Sequence, residues 1–379
     1  MRILRVAQKV YPDVVGGGPY HVHALSRDQA AMGHDVTVLT IGEDGPRREE
    51  RDGYTVVRRP ATAELLGNDI SVGVARFLRQ ADNYDVVHAH SHLYFSTNLA
   101  ALKRRLDTTP LAITNHGLYS QSAPEWVFRL YLRSLGRATF NTADAAFCYT
   151  VEDASRLREV GVRTDINVVS NGIDETRFSP DGPARSGIGG DPAVVFVGRL
   201  VEGKRPGDAL AAIEHVRETH PNARLWFVGT GPLRADLEDR VAERGLDEAV
   251  GFLGEVDYEA MPAVYRAADL FVLPSRAEGL PRTVLEALST GTPVVTSDLT
   301  QIRSVVDGAG VTVPVGDQEG FASAIADLAG DEERYARYSE QGRERIAEEY
   351  SWSATARKTT EHLAALCDAD PRTGEPNSR

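Results

Sequence analysis

Two glutamates, Glu278 and Glu286, stand eight positions apart in the stretch 274–288, PSRAEGLPRTVLEAL. Carboxylates accept paired hydroxyl hydrogens well, and a helix start at Leu280 to Thr283 offers backbone donors to a phosphate. The plainer account of such a pair is a favourable place at a helix dipole and a solvated face. Upstream, Gly198-Arg199-Leu200 follows the apolar run Ala193–Val197, and Lys204 and Arg205 come next. Three cations beside a strand end and a helix start make charge-assisted donors for a diphosphate, and Gly198 lets the backbone come close. Solvated loop charges are the competing account. Gly229-Thr230-Gly231-Pro232 is a second glycine turn, lacking the third glycine of a dinucleotide fingerprint.

The first half carries a different set. Gly16, Gly17 and Gly18 lie between the first apolar run and a helical stretch, where their amides can approach a phosphate or a sugar. The spacing is not that of Gly-x-Gly-x-x-Gly, which disfavours a dehydrogenase. His116 comes directly after Leu111–Thr114, so its ring is expected at a strand end facing a cleft between two domains. His88, His90 and His92 alternate and could share one strand face; a zinc site fits the spacing, but a packed sheet edge fits better. In Trp126–Arg137 (WVFRLYLRSLGR) a helical period puts Arg129, Arg133 and Arg137 on one face beside Trp126, Phe128, Tyr131 and Leu132, with Lys103, Arg104 and Arg105 as an extension. That mix suits an anionic membrane surface, and equally a core helix with an arginine-rich outer face.

These groups need rigid supports. Strands are expected at Ile3–Ala7, Val36–Thr40, Val86–Ala89, Leu111–Thr114, Ala145–Tyr149 and Asn167–Val169, then at Ala193–Val197, Arg224–Val228, Val250–Leu253, Leu270–Leu273, Val294–Thr296 and Val311–Val313. Helical patterns alternate with them, including Glu332–Glu348 and Ser353–Leu366; Pro19 suits a first helical turn and Gly33 a helix stop. The fold class is α/β, with two Rossmann-like domains whose parallel sheets offer their strand C-terminal edges to a common cleft. The expected divisions are residues 1–173, a linker at 174–192 rich in Pro and Gly, 193–350, a C-terminal helix at 351–367 packing back on the first domain, and a frayed tail at 368–379.

With 379 residues, 42% hydrophobic and 26% charged, the chain is globular and long enough for two cores. The formal charge of −13 argues against general nucleic-acid affinity. Only Lys9, Lys103, Lys204 and Lys358 are lysines among the 42 bases. Two cysteines, Cys148 and Cys367, supply neither a disulfide framework nor a thiolate metal site. No apolar run spans a bilayer and no signal peptide opens the chain, so a cytoplasmic protein is expected, peripheral on the membrane's inner face if Trp126–Arg137 docks there.

The ordered set of Gly16-Gly17-Gly18-Pro19, Asn115-His116-Gly117, Asn171-Gly172-Ile173-Asp174, Gly198-Arg199-Leu200 to Lys204, the Glu278/Glu286 pair and Gly291-Thr292-Pro293-Val294-Val295 resembles the retaining GT-B glycosyltransferases of family four, over nearly the whole chain. The resemblance implies transfer of a hexose-type sugar from a nucleotide diphosphate sugar to a hydroxyl of a glycan or lipid-linked acceptor, with no cofactor and no essential metal. It implies that Arg199 and Lys204 contact the diphosphate, Glu278 the sugar hydroxyls and Glu286 the ribose. His116 would meet the transferred sugar or the leaving phosphate, and a diphosphate oxygen would take the acceptor's proton. Gly16, Gly17, Gly198, Gly229, Gly279, Leu280 and Pro281 would line the donor. Where many relatives carry Glu-Gly-Phe-Gly this chain has Glu278-Gly279-Leu280-Pro281, and Pro281 lacks an amide hydrogen. A nucleotide-sugar epimerase or phosphorylase of the same fold, or a non-catalytic sugar-nucleotide binder, are the alternatives.

Overall fold

A computed structural model describes residues 1–65, 68–118 and 125–368. All but the first residue of the expected tail lie outside them. The chain divides into two compact units, Met1–Asn171 with the chain from Ala354 onward, and Gly172–Ser353.

The first unit contains β1 (Arg2–Val6), β2 (Asp35–Ile41), β3 (Arg48–Arg51), β4 (Tyr54–Arg59), β5 (Ala63–Leu65), β6 (Asn68–Ile70), β7 (Val86–His90), β8 (Leu111–Thr114), β9 (Ala145–Cys148) and β10 (Asp165–Val168). Its main sheet runs β10-β9-β8-β7-β1-β2-β4-β3, parallel except for the edge strand β3, while β5 and β6 form a separate antiparallel pair. Every strand expected here is present; β3 to β6 were not anticipated. The inner strands are buried on both faces because helices cover both: Leu4 and Val6 enter one core layer, Ile3 the other. The helix Gly17–Ala31 has Pro19 in its first turn and stops at Met32, followed by Gly33 at φ +89°. Leu363, from the final helix Trp352–Asp368, is fully buried in the layer that holds Ile3.

The second unit contains β11 (Ala193–Val197), β12 (Arg224–Val228), β13 (Val250–Gly254), β14 (Leu270–Leu273), β15 (Val294–Ser297) and β16 (Gly310–Val313), all parallel in the order β13-β12-β11-β14-β15-β16. All six match expectation. The Pro- and Gly-rich segment before β11 packs on this unit: Phe178 is fully buried, and Arg266 donates to the carbonyls of Ser179, Asp181 and Pro183.

Each sheet reverses its strand order once, between β1 and β7 and between β11 and β14. At such a reversal the loops leave toward opposite sides and open a crevice beyond the strand C-termini. The loops at these two points carry the glycine run after β1, His90 at the end of β7, the Arg199–Lys204 stretch after β11 and the Glu278 loop after β14.

Candidate functional site

In the second unit the loops after β11 and β12 lie against each other. A side chain at Gly229, whose φ is +123°, would come within 2.2 Å of the Gly198 carbonyl oxygen, and one at Gly231 within 2.4 Å of that of Leu200. Only glycine allows this approach. The amide of Leu200 donates to Thr230 O, closing the pair. The loop after β14 joins them through the Arg276 amide, which donates to Gly203 O at 2.9 Å. The acidic and basic groups thereby meet: Lys204 Nζ lies 2.5 Å from Glu278 Oε1, and the two side chains are 14% and 3% exposed. The methylenes of Lys204 run beside Gly198. Arg199 is exposed, and its carbonyl accepts from the Val201 amide at 2.9 Å.

Arg205 departs from expectation. It takes a left-handed backbone at the start of the helix Pro206–Val216, and its guanidinium binds Asp208. It is therefore engaged at the helix end in this structure. Pro281 precedes the helix Arg282–Ser289 as its cap, and its carbonyl accepts from Val284. Gly279, Leu280 and Pro281 are buried beside Glu278. Glu286 lies deeper: Tyr265 OH donates to its Oε2 at 2.8 Å, and Arg282 Nε stands 3.8 Å from Oε1. Burial raises its pKa against the pull of Arg282 and the tyrosine hydroxyls. Arg282 in turn donates to Gly172 O and Tyr258 OH and stacks on the rings of Tyr258 and Trp352.

In the first unit His116 is at the centre of a buried polar cluster. Its Nδ1 lies 2.7 Å from Tyr149 OH and its Nε2 3.0 Å from His90 Nδ1. The His21 ring meets it edge-on at 5.4 Å, and His21 Nδ1 is 3.1 Å from Asn171 Oδ1. Gly18 sits over the ring, since a side chain there would be 3.8 Å from His116 Nδ1. Gly16 caps the helix and Gly17 begins it; both are exposed. Below, the fully buried Arg5 binds Ser26 and Gln29 and reaches to 3.4 Å from His88 Nδ1. Burial pulls His116 down to about 4 and drives His88 and His90 well below the ordinary histidine value, so all three are neutral.

The strand carrying the three alternating histidines ends at His90. Ser91 has φ +65°, which breaks the alternation, and His92 turns away into Phe128, Tyr131 and Phe140. The shared face thus holds two histidines, not three, and no metal-binding group of three or more His, Cys, Asp or Glu occurs among the described residues. The arginine-rich segment also differs from its helical pattern. A π-turn at Leu132–Gly136 interrupts it; Phe128 and Leu132 are buried, while Trp126, Leu130 and Leu135 are exposed beside Arg129 and Arg133. Lys103 and Arg104 do not extend this patch, because Asp107 and Asp144 hold them.

Residues 15–177 match the family model described as Glycosyltransferase Family 4, and residues 181–345 match Glycosyl transferases group 1. The chain is 30% identical to glycogen synthase of Mycobacterium tuberculosis over 96% of its own length and 95% of that protein's. The chain belongs to family 4 of the GT-B glycosyltransferases. The glycosyltransferase is also 29% identical, over 89% of its length and 92% of the other's, to a GDP-mannose-dependent alpha-(1-6)-phosphatidylinositol monomannoside mannosyltransferase of Mycolicibacterium smegmatis. Its fold matches sucrose-phosphate synthase of Thermosynechococcus elongatus with a TM-score of 0.83 at 22% identity, over 97% of this chain and all of that one. It is therefore an enzyme that uses a nucleotide sugar.

For the glycosyltransferase, the structure gathers Gly198, Lys204, Gly229, Glu278, Gly279, Leu280 and Pro281 into one group, with Glu286 one turn below and Arg199 at the rim. The supporting residues Tyr149, His21, Tyr258 and Tyr265 were not anticipated, and His90 was expected only as part of a packed strand face. Arg282 had a signal, its spacing of four before Glu286 on one helix. The tyrosines had none, since each comes from a separate element.

Proposed function

We propose that this enzyme transfers a hexose-type sugar from its nucleotide diphosphate donor to a hydroxyl of a glycan or lipid-linked acceptor, with retention at the anomeric carbon. The contact that carries the reading is Lys204 Nζ to Glu278 Oε1 at 2.5 Å, a cation and a carboxylate held together at the sheet's switch point. Arg199 and Lys204 take the negative charge that gathers on the leaving diphosphate, and no essential metal or cofactor enters the scheme. Glu278 takes sugar hydroxyls, Glu286 the ribose, and His116 the sugar. A diphosphate oxygen accepts the acceptor's proton on the face the leaving group departs from. Thermal-shift screening of sugar nucleotides identifies the donor by the rise in melting temperature; NMR of the product then reads the anomer. An inverted product, or a product formed without an acceptor, rejects the reading.

A lipid-linked acceptor is supported by the exposed Trp126, Leu130 and Leu135 beside Arg129 and Arg133, and by the lipid-modifying relative from Mycolicibacterium smegmatis. We infer peripheral contact on the cytoplasmic face through these side chains; no helix among the described residues is long and apolar enough to cross a membrane. Sedimentation with vesicles containing phosphatidylglycerol at low salt tests this: the enzyme pellets, and Trp126→Ala with Arg129→Ala stays in solution. An unmodified enzyme that fails to pellet removes the membrane from the scheme.

A further inference from the structure

Both ring nitrogens of His116 are engaged, Nδ1 with Tyr149 OH at 2.7 Å and Nε2 with His90 Nδ1 at 3.0 Å. The gap between the two imidazoles holds one proton: two N–H groups would collide there, and two bare lone pairs would repel. A neutral chain therefore has two arrangements. In one, Tyr149 donates to His116 Nδ1, His116 carries its proton on Nε2 and donates to His90, and His90 carries its own on Nε2. In the other both imidazoles take the opposite tautomer and the phenol keeps its hydrogen but turns it away, so that His116 Nδ1–H donates to the phenol oxygen and His90 Nδ1–H donates to His116. The phenol is the more acidic group and the better donor toward an imidazole lone pair, and 2.7 Å is the separation of a hydroxyl hydrogen bond. The first arrangement is favoured.

We propose that Tyr149 and His90 are positioning residues that fix His116 as the Nε2–H tautomer, so that its Nδ1 is a pure acceptor and recognises a sugar hydroxyl rather than a phosphate oxygen. Nδ1 is the atom over which Gly18 lies, on the side of the glycine loop. A sugar hydroxyl arriving there donates to Nδ1 in place of Tyr149; a phosphate oxygen, having only lone pairs, is repelled. Burial holds the ring neutral, and the Arg5 guanidinium beneath His88 opposes any proton that His88 or His90 takes up. His90 Nε2 is buried and makes no hydrogen bond, so each arrangement leaves one unpaired group there, an N–H or a lone pair, and the choice between them rests on the Tyr149 contact.

The role for the sugar rests on the reading of His116 given above; the tautomer does not. Enzyme labelled with 15N-histidine shows His116 Nδ1 in the unprotonated range and Nε2 in the protonated range, the signals being identified by their loss in His116→Gln. Tyr149→Phe moves the Nδ1 signal toward the average of two tautomers. His90→Asn, whose amide oxygen stands where Nδ1 stood, keeps the parental pattern, whereas His90→Leu loses it. A protonated Nδ1 in the parent enzyme, or an unchanged spectrum in a folded Tyr149→Phe variant, overturns the proposal. In turnover with the donor that the screen selects, Tyr149→Phe lowers kcat about tenfold and leaves the affinity for the free nucleoside diphosphate unchanged. If the spectra behave as stated and His116→Gln still transfers sugar at the parent rate, the proton arrangement stands and the sugar-facing role of His116 falls.

Discussion

Lys204 and Glu278 neutralise one another at 2.5 Å, yet the proposed chemistry needs Lys204 on a diphosphate and Glu278 on sugar hydroxyls. The pairing is best understood as preorganisation, since each charge keeps the other in place until a donor with both functions divides them. Removing the carboxylate then releases the ammonium. Glu278→Gln is expected to bind free UDP or GDP at least as tightly as the parent by calorimetry while its kcat falls roughly 100-fold, the loss of one to two charged hydrogen bonds. Lys204→Met should do the opposite and weaken the nucleotide about tenfold. Equal losses of nucleotide affinity in both variants would show that the two do not divide these roles. Lys204 was legible because only four lysines occur in the chain and this one follows Gly198 at the end of a strand. Arg205, its neighbour, carries the same charge, and the one signal that Asp208 takes it is their i,i+3 spacing at a helix start. Local spacing shows which groups can reach a site; it does not show which are already engaged.

At the scale of elements, the twelve strands of regular β-branched character were legible, and the additional ones near the glycine loop were not. The segment Arg48–Arg51 reads Arg-Glu-Glu-Arg, and nothing apolar marks it as a strand. It pairs with β4 in an antiparallel ladder, and Glu49 meets the Arg58 guanidinium at 2.7 Å. Arg58 grips Asp13 in a fork, with Nε to Oδ2 at 2.6 Å and Nη2 to Oδ1 at 2.9 Å, while Arg51 reaches Asp13 Oδ1 at 3.0 Å and the Tyr11 carbonyl at 2.8 Å. These two strands thus anchor the loop that leads into Gly16, Gly17 and Gly18. The Arg58 side chain is only 2% exposed, so the clamp cannot be replaced by water without loss. Asp13→Ala should lower stability by about 2 kcal/mol in urea unfolding, because the buried Arg58 guanidinium loses its fork and keeps only Glu49 and the Pro46 carbonyl. Asp13→Leu combined with Arg58→Met should recover most of that loss while leaving turnover impaired, the loop having lost its polar anchor. A double variant no more stable than Asp13→Ala would show that the clamp is not what the loop depends on.

For the molecule as a whole, the buried ionisable groups of the first unit oppose one another in their pH dependence. His88, His90, His92 and His116 all have folded-state pKa values below the ordinary 6.5, chiefly through burial. The unfolded chain therefore binds protons first as pH falls. The stability these histidines confer is present above about 6.5 and is lost on acidification toward their lower folded values, at up to about 1.4 kcal/mol per pH unit for each. Asp153 has the opposite sign. Both its oxygens are buried without a hydrogen-bond partner, and burial lifts it from 3.8 to about 6. Its contribution is complete below 3.8, declines as pH rises and is gone above about 6, where the carboxylate must be held ionised in the interior. Asp153→Asn removes that penalty. The variant should gain about 2 kcal/mol more stability over the parent at pH 7.5 than at pH 4.5. Both proteins should still weaken on acidification below pH 6.5, because the four histidines remain. Chemical denaturation at the two pH values measures this difference directly, and an equal gain at both would mean that Asp153 has a partner which keeps it charged.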